Sequence, residues 1–236
     1  MTRKQMKVEP DRWYYWCDKL GLLVWQDMPA GQIGTGSERP NPARAGIDGK
    51  PISEEAAQQF EGELQALIQQ HFNHPSIIQW IVFNEKLGQY DTPRLTLFTK
   101  GLDDSRLVCN ASGWVDMKVG DIASIHSYPG PHSPSPEPKR AAVLGEFGGL
   151  GLIVPDHRWP GKAWSYKTMS DSKALTDQFL SLWKKVDKLK FDPGLSAAVY
   201  TQLTDVELQV DGLLTYDRKV VKVNIHQISD AVSDTP

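Results

Sequence analysis

Apolar positions along this chain follow two alternating rhythms. Leu22-Leu23-Val24-Trp25-Gln26 and Ile77 to Phe83 are short apolar runs without polar alternation, the pattern of parallel strands covered on both faces. Between them Phe60, Leu64, Leu67, Ile68 and Phe72 recur at helical spacing. Ser53 is placed to cap that helix, and Glu54 and Glu55 put negative charge in its first turn. Asn73-His74-Pro75-Ser76 breaks it. An earlier helix is predicted from Pro10 to Leu20, opened by Pro10 or Asp11 and closed by Gly21. Residues Met28 to Pro51, rich in Gly and Pro, read as a long loop.

The alternation continues. A helix is predicted around Thr92 to Leu102 and a strand near Leu107 to Asn110. A strand from Asp121 to His126 ends in Ser127-Tyr128-Pro129. A proline-rich loop leads to a strand from Ala141 to Gly145. A long loop from Phe147 to Ser170 precedes a helix from about Ser172 to Leu189. Leu195 to Thr201 reads as a last strand, and Ile225 to Val232 as a short helix. Strand and helix in turn define the α/β class with a parallel sheet, here as a single domain over residues 1–236. About six strands are counted, near residues 22, 77, 107, 121, 141 and 195. No Gly-rich loop follows the first of them, which argues against a dinucleotide cofactor. The long loops follow strands, which is where a (β/α) barrel carries its active site.

Bulk properties narrow the field. The 236 residues are 40% hydrophobic and 23% charged, with a net charge of -3, so there is no basic field to attract nucleic acid. No apolar run is long enough to span a membrane. Met1 to Lys7 is basic but lacks the apolar core of a signal peptide, so a cytoplasmic location is expected if that terminus is native. Cys17 and Cys109 sit in apolar contexts and read as buried thiols.

Candidate chemistry centres on two carboxylates. Glu85 follows Trp80-Ile81-Val82-Phe83-Asn84, and Glu146 sits in Leu144-Gly145-Glu146-Phe147-Gly148-Gly149; in each case an apolar strand-like run reaches an acid near a turn. His126 and Tyr128 end the strand between them and are placed to orient a substrate or Glu146. Trp114, Trp159 and Trp164 offer faces for stacking on a sugar, against the plainer reading of ordinary packing. Asp27, Gln202 and Glu207 end strands. His71 and His74 read as helix-end residues, and His132 and His157 as loop residues. None has metal-ligand spacing, so no metal or other cofactor is expected. Ser170-Asp171-Ser172-Lys173 and Ser181-Leu182-Trp183-Lys184 match a Ser-x-x-Lys pattern, but the other elements of that serine-hydrolase set and a Gly-x-Ser-x-Gly motif are missing.

Five stretches together resemble glycoside hydrolase family 2, the family of β-galactosidases, β-glucuronidases and β-mannosidases. They are Arg12 through Leu22, Asn73-His74-Pro75-Ser76, Trp80 through Glu85, His126-Ser127-Tyr128-Pro129 and Gly145-Glu146-Phe147-Gly148-Gly149. The resemblance implies a (β/α)8 barrel with the acid/base glutamate after strand 4, at Glu85, and the nucleophile after strand 7, at Glu146. It implies that Asn84 binds the sugar 2-hydroxyl and that Arg3 pairs with Glu146. A retaining mechanism of this kind needs the two carboxyl groups roughly 5–5.5 Å apart. The chain departs from the pattern in lacking strand 1, nearly all of strand 2 and the preceding β-sandwich domains, so an incomplete barrel is expected. Gln5 stands where histidine is usual, and Lys86-Leu87-Gly88-Gln89 where the most similar relatives have Gly-Trp-Gly-Gln. The expected activity is hydrolysis of β-glycosides. The alternatives are a silent fragment with residual sugar binding, or ester cleavage acquired in the opened cleft. Missing strands also leave sheet edges without neighbours, so a homodimer or a plug formed by a terminal segment is expected to cover them.

Overall fold

The computed structural model describes residues 1–29, 40–45, 51–86 and 88–233. Its elements in order are β1 (Thr2–Lys4), α1 (Asp11–Leu20), β2 (Val24–Asp27), β3 (Pro40–Ala45), β4 (Pro51–Ser53), α2 (Glu54–His71), β5 (Ile77–Asn84), α3 (Thr92–Leu102), β6 (Leu107–Ser112), β7 (Ile122–Ser127), β8 (Ala141–Gly148), β9 (Leu150–Gly151), β10 (Lys167–Thr168), α4 (Ser172–Phe191), β11 (Ala197–Thr201) and α5 (Ile225–Ser233). Contacts divide the chain into two compact units, Met1–Ser124 with Glu137–Ala141, and Ile125–Pro136 with Ala142–Pro236. The described strands form no closed eight-stranded sheet; the architecture is an incomplete (β/α) barrel type.

In the first unit β1, β2, β5 and β6 form a parallel sheet in that order. The last six residues of β5, Gln79 to Asn84, are all buried, which is why its sequence shows no alternation. Helix α1 starts behind Pro10, whose extended backbone suits the entry. It stops at Gly21, which takes the left-handed conformation (φ 68°) and returns its N–H to the carbonyls of Cys17 and Asp18. Ser53 caps α2 by accepting the N–H of Ala56 at 3.1 Å. Phe60, Leu64, Leu67 and Ile68 then bury one helical face against Phe83, Tyr90 and Leu95. Each such side chain contributes about 1.5–3 kcal/mol on leaving water. Phe72 departs from that face and is exposed, because it sits past the last turn, at the helix C-cap.

The loop expected over Met28 to Pro51 is only partly described. Residues 30–39 and 46–50 lie outside the described residues, while β3 and β4 pair antiparallel. Arg140 ties the end of this unit together. Its guanidinium donates to both oxygens of Asp116, at 2.7 Å each, and to Glu137 at 2.6 and 2.7 Å.

The second unit holds a three-stranded sheet in the order β11-β8-β7 and the two-residue parallel pair β9-β10. Strand β8 is longer than its sequence suggests, running through Glu146 to Gly148. Its register against β11 slips: Ala198 faces Leu144, whereas Tyr200 faces Phe147. Val199 therefore stands opposite both Gly145 and Glu146, a bulge that re-aims side chains at that point. Phe147, Phe179, Leu175, Leu182 and Leu195 pack the core between this sheet and α4, which Asp171 caps by accepting the N–H of Ala174 at 2.8 Å.

The long loop after β8 is held by two less visible devices. A β-carbon on Gly149 would lie 2.4 Å from the Tyr166 ring, and one on Gly148 2.3 Å from the Tyr200 ring, so bare backbone lets both rings close in. The ammonium of Lys222, wholly buried, uses its three hydrogens on Asp205 Oδ1 at 2.7 Å and on the carbonyls of Val210 at 2.9 Å and Leu152 at 3.0 Å. Cys17 and Cys109 are free and buried, as expected. Among the described residues, no helix is long and apolar enough to cross a membrane.

Candidate active site

Within the first unit the candidate residues gather at the C-terminal end of the parallel sheet. Asn84 ends β5 beside Ser112, the last residue of β6. Glu85 follows in a left-handed conformation (φ 57°), which is rare for a residue with a side chain and turns it sharply off the strand. Its N–H is fixed by the Ser112 carbonyl at 2.5 Å. On β1, Arg3 donates Nε and Nη2 to the two oxygens of Asp27, at 3.0 and 2.7 Å, and Nη2 again to Asn84 Oδ1 at 2.8 Å. Asp27, at the end of β2, is thus a buried anchor for Arg3. Lys86 beside Glu85 is exposed to solvent, and Leu87 lies outside the described residues.

Within the second unit Glu146 is almost buried, with 8% of its surface exposed. The Tyr128 hydroxyl donates to its Oε2. Burial, and then the Glu146 charge it faces, push the Tyr128 phenol well above its usual range, so it stays a donor at any working pH. A phenol has one proton to give. With that proton on Glu146, Thr201 donates to the Tyr128 oxygen across their 2.9 Å contact. His126 Nδ1 lies 3.6 Å from Glu146 Oε2, an approach that adds attraction only when the ring is protonated. Tyr166 lies flat on Tyr128, with ring centres 3.7 Å apart and planes within 3°, and Trp164 meets Tyr166 edge-on at 5.6 Å.

Other candidates have plainer roles. His71 Nδ1 bonds the Leu67 carbonyl one turn back, and His74 bonds Asp18 at 2.7 Å. His132 bonds Ser127 Oγ, and His157 bonds Asp217. Trp114 and Trp159 are about half exposed, with Trp159 edge-on to Tyr216, so neither is a core residue. Lys173 is turned to Asp177 on the surface of α4, and Ser170 donates to Asp171, which leaves the Ser-x-x-Lys stretch without a nucleophile–base pair. Glu207 takes a left-handed turn conformation. Three residues of this unit escaped the sequence reading. Thr201 had a signal, as the last residue of a predicted strand. Tyr166 had none, since its loop carries no period. Asp211 is buried and unmarked by any motif; burial, opposed by the Gln209 amide, pushes its carboxyl up to about 6.

Parallel strands alternating with helices, and acids placed late in or just after two of those strands, define a chain of the (β/α)-barrel class. Residues 9–140 match the family model described as glycosyl hydrolases family 2, TIM barrel domain, and the chain belongs to that family. Glu85 lies inside the matched stretch and Glu146 just beyond it. A β-glucuronidase of Bacteroides fragilis is 27% identical over 239 aligned positions, covering 87% of this chain and 32% of the relative. The crystal structure of a family 2 β-galacturonidase from Eisenbergiella tayi superposes with a TM-score of 0.68 at 17% identity, covering 99% of this chain and 44% of that one. A β-D-glucuronidase of Dictyoglomus thermophilum gives 0.67 at 16% identity, covering 99% and 44%. These likenesses show the fold, and the chain spans about a third of the curated relative it matches.

Proposed function

We propose that this chain is a retaining glycoside hydrolase acting on β-glycosides, with Glu146 as nucleophile and Glu85 as acid/base. The observation that carries the reading is the Tyr128 hydroxyl donated to Glu146. A carboxylate held by a phenol that keeps its proton is stabilised as an anion, the form that attacks the anomeric carbon. Glu85 would protonate the departing oxygen and then deprotonate the water that releases the sugar. Asn84, fixed by Arg3, would meet the sugar 2-hydroxyl, while His126 and Tyr128 hold the nucleophile in place. Family membership supports the mechanism, and the relatives named above make β-glucuronides and β-galacturonides the first substrates to try.

The test is chemical rescue with aryl β-glycosides. Glu146→Ala should abolish turnover and be rescued by azide with formation of the α-glycosyl azide. Glu85→Ala should keep turnover of a dinitrophenyl glycoside, whose leaving group needs no proton, and with azide give the β-azide. Ester cleavage that survives Glu146→Gln, in a chain that turns over no glycoside, would replace this reading by the esterase one. We extend the proposal to assembly: β1 is an edge strand, and Tyr15, Trp16 and Leu20 are exposed on α1, a surface suited to a second copy. A single monomeric species in sedimentation velocity would remove the homodimer.

A further inference from the structure

The second unit presents a ladder of three aromatic rings that begins on the Glu146 carboxylate and ends in solvent. Tyr128 touches the carboxylate and Tyr166 lies parallel on Tyr128. Trp164 stands against Tyr166 with 47% of its surface exposed. The exposed ring is not on a loose loop. The Trp164 N–H donates to the Leu208 carbonyl at 2.9 Å, and its own carbonyl accepts the N–H of Val210 at 3.0 Å. Three residues on, the Lys167 N–H donates to the Gly149 carbonyl at 3.1 Å, and the Tyr166 ring lies over the bare backbone of Gly149. A large apolar ring held rigidly in water is unfavourable in the free protein and pre-organised for a flat partner.

We propose that Trp164 is a stacking platform for the leaving group, so that the chain selects β-glycosides whose aglycone is an aromatic or sugar ring over those with a short alkyl aglycone. This rests on the reading of Glu146 as nucleophile. The ring that touches Glu146 belongs to the site of the reacting sugar, so the ring two steps out meets the unit attached to that sugar. An indole face binds the flat face of an arene or the C–H face of a sugar and gains little from a methyl group.

The experiment is titration calorimetry of the full chain and of Trp164→Ala with matched pairs, 4-nitrophenyl and methyl β-D-glucuronide, β-D-galacturonide and β-D-galactoside. The wild type should bind at least one aryl member more tightly than its methyl partner. Trp164→Ala should weaken that aryl ligand about three- to tenfold while leaving the methyl glycoside unchanged. Trp164→Phe should retain part of the preference, which separates the loss of a ring from damage to the loop. No aryl preference in the wild type, or an equal loss for both members of a pair, overturns the proposal. Turnover is read separately. An aryl preference that Trp164→Ala removes, in a chain that hydrolyses none of the six, keeps the platform and overturns the two-glutamate reading.

Discussion

At the scale of single residues, burial holds the proton on two acids, with different consequences. Tyr128 is kept protonated by its surroundings and donates its hydrogen bond to Glu146. Tyr128→Phe removes a charge-assisted hydrogen bond of about 1.5–3 kcal/mol, roughly ten- to a hundredfold in rate. The carboxylate then loses the phenol that fixes it; rates of aryl β-glycoside cleavage by the two proteins check this. Asp211 is held up at about 6, above its ordinary 3.8, chiefly by burial. Between those values the folded protein keeps a proton that the unfolded chain has released. The associated stability is therefore full below the unfolded value and is lost as pH rises through 6. Asp211→Asn, which still accepts from Gln209, should stabilise the protein at pH 7.5 by on the order of 1–2 kcal/mol, with the difference gone at pH 4. Thermal melts at the two pH values measure it.

At the scale of elements, glycine decides how closely the loop after β8 can settle. Gly149→Ala places a methyl group inside the Tyr166 ring and forces φ near 61° on a residue with a side chain. The expected loss is about 1–3 kcal/mol, a drop of some 2–12 °C in Tm by scanning calorimetry. The longer elements were legible in the sequence for physical reasons. β5 is covered on both faces and so reads as an unbroken apolar run, and α2 carries its cap, its acidic first turn and its buried stripe in order. β9 and β10 were not legible, because two residues are too short for any period to show. The end of β8 was missed because Gly145 and the Gly148-Gly149 pair look like a turn, whereas the bulge keeps the strand going past Glu146.

At the scale of the molecule, each unit has its own apolar cluster and a buried ion pair, Arg3–Asp27 in the first and Lys222–Asp205 in the second. Burial lowers the Lys222 pKa against the opposing pull of Asp205, and raises that of Asp205 against the pull of Lys222. Lys222→Met leaves the Asp205 carboxylate buried without its cation, a loss of about 3–5 kcal/mol. Denaturant melts should show that loss shrinking in acid, where Asp205 takes up a proton, and shrinking also in the Asp205→Asn/Lys222→Met double variant. The candidate site residues stood out by their positions: Glu85, Glu146, Asn84, His126 and Tyr128 each end, nearly end or directly follow a recognisable strand. The Asp205–Lys222 pair did not, since its members lie 17 residues apart in irregular chain. The one local hint was a lysine among the valines of Val220-Val221-Lys222-Val223, a setting that buries the stem and obliges the head to find oxygen.

Arg3 carries a further consequence for whatever Asn84 greets. A guanidinium has hydrogens and no lone pairs to present, so the amide can face it only oxygen first. The NH2 end is then turned away from Arg3, and there the amide can give a hydrogen and take none. A ligand atom at that position must bring electrons: fluorine in place of hydroxyl should be accepted with modest weakening, and bare CH2 refused.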